Sequence, residues 1–144
     1  MLVQQILRSK ADDGVVTVAP GTGVRAAVEV MAARRIGAVV VSPDGKRIAG
    51  ILSERDVVRE LGRRGTGCLD EPVDRLMTAT ISTCQCGDTA DAVLGRMTEG
   101  RFRHMPVVEE GQMVGLISIG DVVKARLMEL SMEKDALEGM IKGF

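Results

Sequence analysis

Aromatic side chains are nearly absent from this chain. Trp and Tyr do not occur, and Phe102 and Phe144 are its two phenylalanines. Proteins that hold single-stranded nucleic acid stack bases on several exposed aromatics, so this composition argues against that class. An excess of charge of one sign is missing too. The formal net charge is −1, which offers no cationic face to a duplex. Long apolar runs are also missing, and none reaches the roughly 20 residues of a membrane-spanning helix. The start, Met1-Leu2-Val3-Gln4-Gln5, has neither the basic end nor the apolar core of a signal peptide. A cytoplasmic chain that engages neither nucleic acid nor membrane is the expectation.

Cysteine and histidine are scarce as well. The cysteines are Cys68, Cys84 and Cys86, and His104 is the single histidine. A thiolate metal site wants about four ligands, so Cys84-x-Cys86 is a weak metal signal. It reads better as small half-buried residues at a strand end in a reducing compartment. No Ser-His-Asp set, metal-spaced cluster or phosphate-binding glycine loop is present, so no enzyme is expected.

What the chain does have is ordinary globular composition, 45% apolar and 27% charged over 144 residues, about one domain. It also has a repeat. Gly50-Ile51-Leu52-Ser53-Glu54-Arg55-Asp56-Val57-Val58 returns 65 positions later as Gly115-Leu116-Ile117-Ser118-Ile119-Gly120-Asp121-Val122-Val123. Upstream, Met31, Ile36 and Val41 match Met97, Phe102 and Val107 at a spacing of 66. The turns Pro43-Asp44-Gly45-Lys46 and Glu109-Glu110-Gly111 absorb the one-residue change, as hairpin loops do. A repeat of this length is not expected to bury its own apolar face, so the copies should pack on each other.

Each copy reads strand, helix, hairpin, helix. Val15–Val18 reads as a short buried strand. Thr22 is a candidate cap for a helix from Val24 to about Arg35, with Val24, Ala27, Val28 and Met31 on one face. Ala38–Val41 and Arg47–Leu52 read as hairpin strands. Ser53 opens the next helix, which should stop near Gly62 and give way to a glycine-rich linker over 62–67. Copy two predicts a strand near 81–84, a helix near 89–98, a hairpin near 105–118 and a helix from 118. Strands alternating with helices mean an α/β or α+β domain. The last helix is long, with Val123, Leu127, Leu130, Leu137 and Ile141 in a helical stripe. It either covers the domain edge or meets a partner.

Both copies carry Ser-x-x-Asp at a helix start: Ser53 with Asp56, and Ser118 with Asp121. A capping box explains this structurally, with Asp in place of the usual Glu. A short carboxylate beside helix N-terminal amides also suits the two hydroxyls of a ribose. The roles are compatible, since a carboxylate has about four acceptor sites. Arg55 lies in a first turn, where the macrodipole disfavours a cation. It either pairs with Glu54 or Asp56, or it meets an anionic ligand. Arg101-Phe102-Arg103-His104 is a second cationic cluster. It reads as a solvated face or, beside Arg55, as a phosphate pocket.

These residues resemble a tandem pair of cystathionine-β-synthase (CBS) domains, whose pattern is Gly-h-h-Ser/Thr-x-x-Asp preceded by h-Pro-Val-Val. Copy two shows Met105-Pro106-Val107-Val108, whereas copy one has Val40 at the proline position. The resemblance implies two β-α-β-β-α repeats packed as a pseudo-two-fold pair, over 8–66 and 73–130, with a helical tail over 131–144. It implies adenine-nucleotide ligands (AMP, ADP, ATP, an NAD-type dinucleotide or S-adenosylmethionine) in clefts between repeats. One cleft would use Ser118 and Asp121 for ribose, His104 and Met105 beside them, and Val16, Ile36 and Gly37 around adenine. The other would use Ser53, Asp56 and Arg55 with Ala38, Val39, Thr78, Ser82, Phe102 and Arg103, and would prefer more phosphates. The resemblance also implies a homodimer, and a regulatory role signalled in trans to an effector protein. The competing reading is a structural interaction protein whose clefts stay empty.

Overall fold

In the computed structural model, residues 1–10 and 14–143 are described. In chain order the elements are α1 (Val3–Ser9), β1 (Thr17–Val18), α2 (Val24–Arg34), β2 (Ala38–Val41), β3 (Gly50–Ser53), α3 (Glu54–Arg64), α4 (Ala90–Gly100), β4 (His104–Glu109), β5 (Gln112–Ser118) and α5 (Ile119–Ile141). Two 3₁₀ turns, Thr66–Asp70 and Val73–Arg75, separate α3 from copy two. Mixed helix and strand in two repeats is the α+β class expected from the pattern.

The chain divides into two compact units. One comprises Asp13–Ser82 with Glu110–Val114; the other comprises Met1–Asp12, Thr83–Glu109 and Gly115–Phe144. In the first, β1 runs parallel to β2 with Thr17 opposite Val40, and β2 is antiparallel to β3 with Ala38 opposite Ser53. Helix α2 is the crossover that a parallel pair needs. Its core gathers Val24, Ala27, Met31, Val39, Val41, Leu52, Val57, Cys68, Val73 and Leu76. In the second unit, Val93, Met97, Met105, Val107, Ile117 and Val122 pack with Val3 and Ile6 of α1.

The expectation that a copy has no core of its own is therefore corrected: each unit closes a separate core. The segment that completes it comes from outside the repeat. Val3 donates its amide to Asp88 O at 2.9 Å in one unit, and Val73 donates to Thr22 O at 2.7 Å in the other. Leu7 then lies over Gly115, where an added Cβ would meet its Cδ2 at 2.7 Å. Met77 lies over Gly50 in the same way. Helix α1, missed in the sequence reading, thus plays for copy two the part that 71–77 plays for copy one.

Other expectations shift for identifiable reasons. Thr22 does not cap α2: Gly23 is the N-cap, and Thr22 Oγ1 donates to Ala19 O at 2.6 Å. Its counterpart position in copy two is one residue short as well, and Thr89 caps α4 by accepting from the Ala92 amide. Helix α3 does not stop at Gly62. It continues to Arg64 because Gly65, at φ +75°, closes it with a bond from its amide to Leu61 O. The expected linker is accordingly ordered, and Arg64 forks onto Glu71 with two bonds of 2.7 Å. Strand β3 starts at Gly50 rather than Arg47, because Asp44 holds the preceding loop through the Lys46 and Arg47 amides. The strand expected near 81–84 shrinks to one bridge, Cys84 to Val107. Val40 donates its amide to Val16 O at 3.1 Å, whereas its counterpart Pro106 has no N–H to give.

Candidate functional site

Both Ser-x-x-Asp motifs form capping boxes. At α3, Ser53 Oγ accepts from the Asp56 amide at 3.2 Å, and Asp56 Oδ2 accepts from the Ser53 amide at 2.9 Å. At α5, Ser118 Oγ accepts from the Asp121 amide at 3.1 Å, and Asp121 Oδ2 accepts from the Ser118 amide at 2.9 Å. The strand before each helix ends in an extended N-cap, and the chain then turns sharply into the helix. A carbonyl from the residue just before the neighbouring strand fixes that corner: Gly37 O accepts from Glu54 N at 2.9 Å, and Arg103 O accepts from Ile119 N at 2.8 Å.

The remaining bonds of the two carboxylates differ. Asp56 is buried and uses both oxygens: Oδ2 also accepts from Ser53 Oγ at 2.9 Å, and Oδ1 accepts from Arg59 Nη2 at 2.8 Å. Asp121 is half-buried. Its Oδ2 takes the Ser118 amide and the Lys10 ammonium at 2.9 Å. Burial works to raise the Asp121 pKa, but the Ser118 amide and Lys10 outweigh it and hold the carboxyl below its ordinary value. Neither Lys10 nor Arg59 was singled out from the sequence. Arg59 was legible as a basic residue three positions after an acid on one helix; Lys10 carried no local signal.

The other candidates fall into place individually. Arg55 is exposed in the first turn of α3 and forms no ion pair with Glu54 or Asp56. Ala38, Val39 and Met105 are buried, so these positions offer a ligand backbone rather than side chain. Val16, Ile36 and Gly37 are half-buried beside their unit's core. Thr78 is exposed and bridges Ile51 through bonds of 2.8 and 3.0 Å. Phe102 leans on Gly100 and the core, Arg103 is exposed, His104 opens β4 half-buried, and Ser82 is half-buried. Burial and the Asp88 charge push the Cys84 thiol up to about 11. Burial and Glu109 raise Cys86. Among the described residues no group of three or more His, Cys, Asp or Glu could hold a metal ion. No helix among them is long and apolar enough to cross a membrane.

A CBS-domain containing protein from Agrobacterium tumefaciens has a similar crystal structure, at 43% identity, TM-score 0.83, and coverage of 88% of this chain and 99% of that one. A CBS domain protein from Pyrobaculum aerophilum, complexed with AMP, is 26% identical at TM-score 0.76, covering 92% and 99%. The CBS domain-containing protein CBSCBSPB5 of Arabidopsis thaliana is 31% identical over 135 residues. That stretch is 89% of this chain but 25% of the plant protein, so the chain spans about a quarter of that relative's length. The CBS domain profile matches residues 4–63 and 73–128, and the chain belongs to the CBS domain family, with two such domains.

Proposed function

We propose that the chain is a non-catalytic regulatory module that binds adenine nucleotides, with the ribose hydroxyls accepted by Asp121 and Asp56. One observation carries the reading: at the start of α5 a half-buried carboxylate is held in place by the Ser118 amide and Lys10. A ribose diol needs such an acceptor, charged and held in place. The AMP held by the Pyrobaculum aerophilum relative supports adenosine as the common unit. Arg55, exposed beside Asp56, favours a ligand with further phosphates there, so ATP or a dinucleotide suits that position and AMP suits Asp121. On this reading the response passes in trans to a partner protein. A homodimer through the helices is part of the same proposal, supported by exposed Val58, Leu127, Leu130, Leu137 and Ile141.

The test separates capping from binding. Asp121→Asn still caps but loses charge; Asp121→Ala loses both. The expected result is AMP affinity lowered in each and stability lowered mainly in the alanine variant. If both variants bind AMP like the parent, the motif only caps. A second reading, an interaction protein with no ligand, draws on Lys10 and Arg59 already partnering the two acids. It wins if neither AMP nor ATP produces heat on titration or raises the melting temperature.

A further inference from the structure

Lys10 is the C-cap of α1, and its side chain does not point to open water. Its ammonium donates to Leu116 O at 2.8 Å and pairs with Asp121 Oδ2 at 2.9 Å. Helix α1 is fixed there by Val3 and Ile6 in the core and by Leu7 over Gly115. The copy-one counterpart of Leu116 is Ile51, whose carbonyl and amide are closed by the Thr78 backbone. In copy two the lysine thus takes a place that backbone pairing fills in copy one.

We infer that Lys10 is an internal competitor for the ribose-accepting carboxylate, and so sets the affinity of the Asp121 half-site. This rests on the adenine-nucleotide reading above. The two lone pairs of Oδ2 are taken by the Ser118 amide and by Lys10. A vicinal diol spanning both carboxylate oxygens must vacate one of those places. Releasing the amide opens one half of the α5 capping box; releasing Lys10 moves only a flexible four-carbon stem. The ammonium is therefore the group displaced, and it also neutralises the charge that strengthens a hydroxyl's bond to the carboxylate. A site whose competent form is one state among two binds with an affinity reduced by that state's population. Occupancy in turn frees Lys10 at the end of α1, which couples ligand binding to the docking of that helix with equal strength in both directions.

The experiment titrates AMP calorimetrically into the parent, Lys10→Met, Lys10→Gln, Asp121→Asn and the double variant Lys10→Met with Asp121→Asn. Lys10→Met should bind about fivefold more tightly, the size of effect a partly exposed ion pair allows. Lys10→Gln should fall between it and the parent, and the gain should vanish in the double variant. Melting curves give a second readout. Without AMP the Lys10 variants melt below the parent; at saturating AMP the gap closes, because the pair is already broken in the complex. Equal or weaker binding by Lys10→Met overturns the competition and makes the lysine a spectator or a phosphate ligand. If neither the parent nor any variant binds AMP, the nucleotide reading itself falls, and the competition falls with it.

Discussion

The helix starts at Asp56 and Asp121 share one motif and differ in where their cation comes from. Arg59 reaches Asp56 from three residues on in the same helix, and it is 58% exposed. Lys10 reaches Asp121 from another helix, and both side chains are about a quarter exposed. The first pair forms whenever α3 forms. The second requires α1 to dock. Identical local chemistry is thereby local in one half and dependent on tertiary structure in the other.

The strongest way to sharpen this comparison is at the two glycines that admit the docking segments. A Cβ at Gly50 would collide with Met77 and lie 3.0 Å from the Thr78 carbonyl, which is backbone. A Cβ at Gly115 would first meet the Leu7 side chain, which has rotamers to use. Gly50→Ala should cost about 2–3 kcal/mol and Gly115→Ala about 1 kcal/mol, within the range of overpacking. Chemical denaturation of both variants measures the difference. Equal costs would mean the Thr78 bridge gives as readily as Leu7.

The carboxylates themselves come next. Asp56→Ala removes three accepted bonds at a buried position and strands Arg59; Asp121→Ala removes two at a half-buried one. Loss of a cap costs about 0.5–2 kcal/mol. The Asp56 variant belongs at the upper end and the Asp121 variant near the middle. The reverse order would show that Arg59 contributes nothing and that Lys10 dominates.

Much of this was legible in the sequence. The repeat period is read off the sequence directly, and the hairpins and the Ser-x-x-Asp caps rest on contacts within about fifteen residues, which local pattern reports. Three features were hidden. Helix α1 spans 7 residues, too short for periodicity to announce, although Val3, Ile6 and Leu7 are spaced as one face. The loss of the second parallel strand follows from Pro106, but its meaning needs the partner Ser82–Cys84 in view. Lys10 beside Asp121 is invisible to any window, since nothing in a lysine's neighbours says which acid it will reach. For the candidate site, the residues at the helix starts were legible; the cations that tune them were not.

Acid titration probes the distant pair without any ligand. The Asp121 carboxyl is held below its ordinary value in the folded chain. Its contribution is present above the unfolded pKa of about 3.9 and is lost as pH falls through the folded value. Lys10→Gln removes one of the lowering causes. The variant should melt below the parent at neutral pH by an amount equivalent to about 1 kcal/mol or less, and the gap should close as pH falls through the folded value. A gap that stays constant to low pH would assign the effect to the bond with Leu116 O instead.

The smallest expected effect concerns the last helices of the two copies. Helix α3 ends at Arg64 with its C-cap satisfied, whereas α5 continues to Ile141 with no buried side chain after Ala125. Its far end shows Leu137, Met140 and Ile141 at 59%, 72% and 85% exposure. Isolated helical turns without packing are marginal in water, so this end contributes little to a single chain. Deleting residues 131–144 should change the stability of a monomer by no more than about 0.5 kcal/mol, as for other surface changes. In a dimer built on the tail the same deletion acts differently. Stability would then rise with protein concentration in the parent and lose that dependence in the truncation. Melting temperatures at two concentrations, read beside light scattering, separate the cases. A concentration-dependent parent whose truncation stays equally dimeric places the interface on the repeats, with Val58 and Val123 the apolar side chains to substitute first.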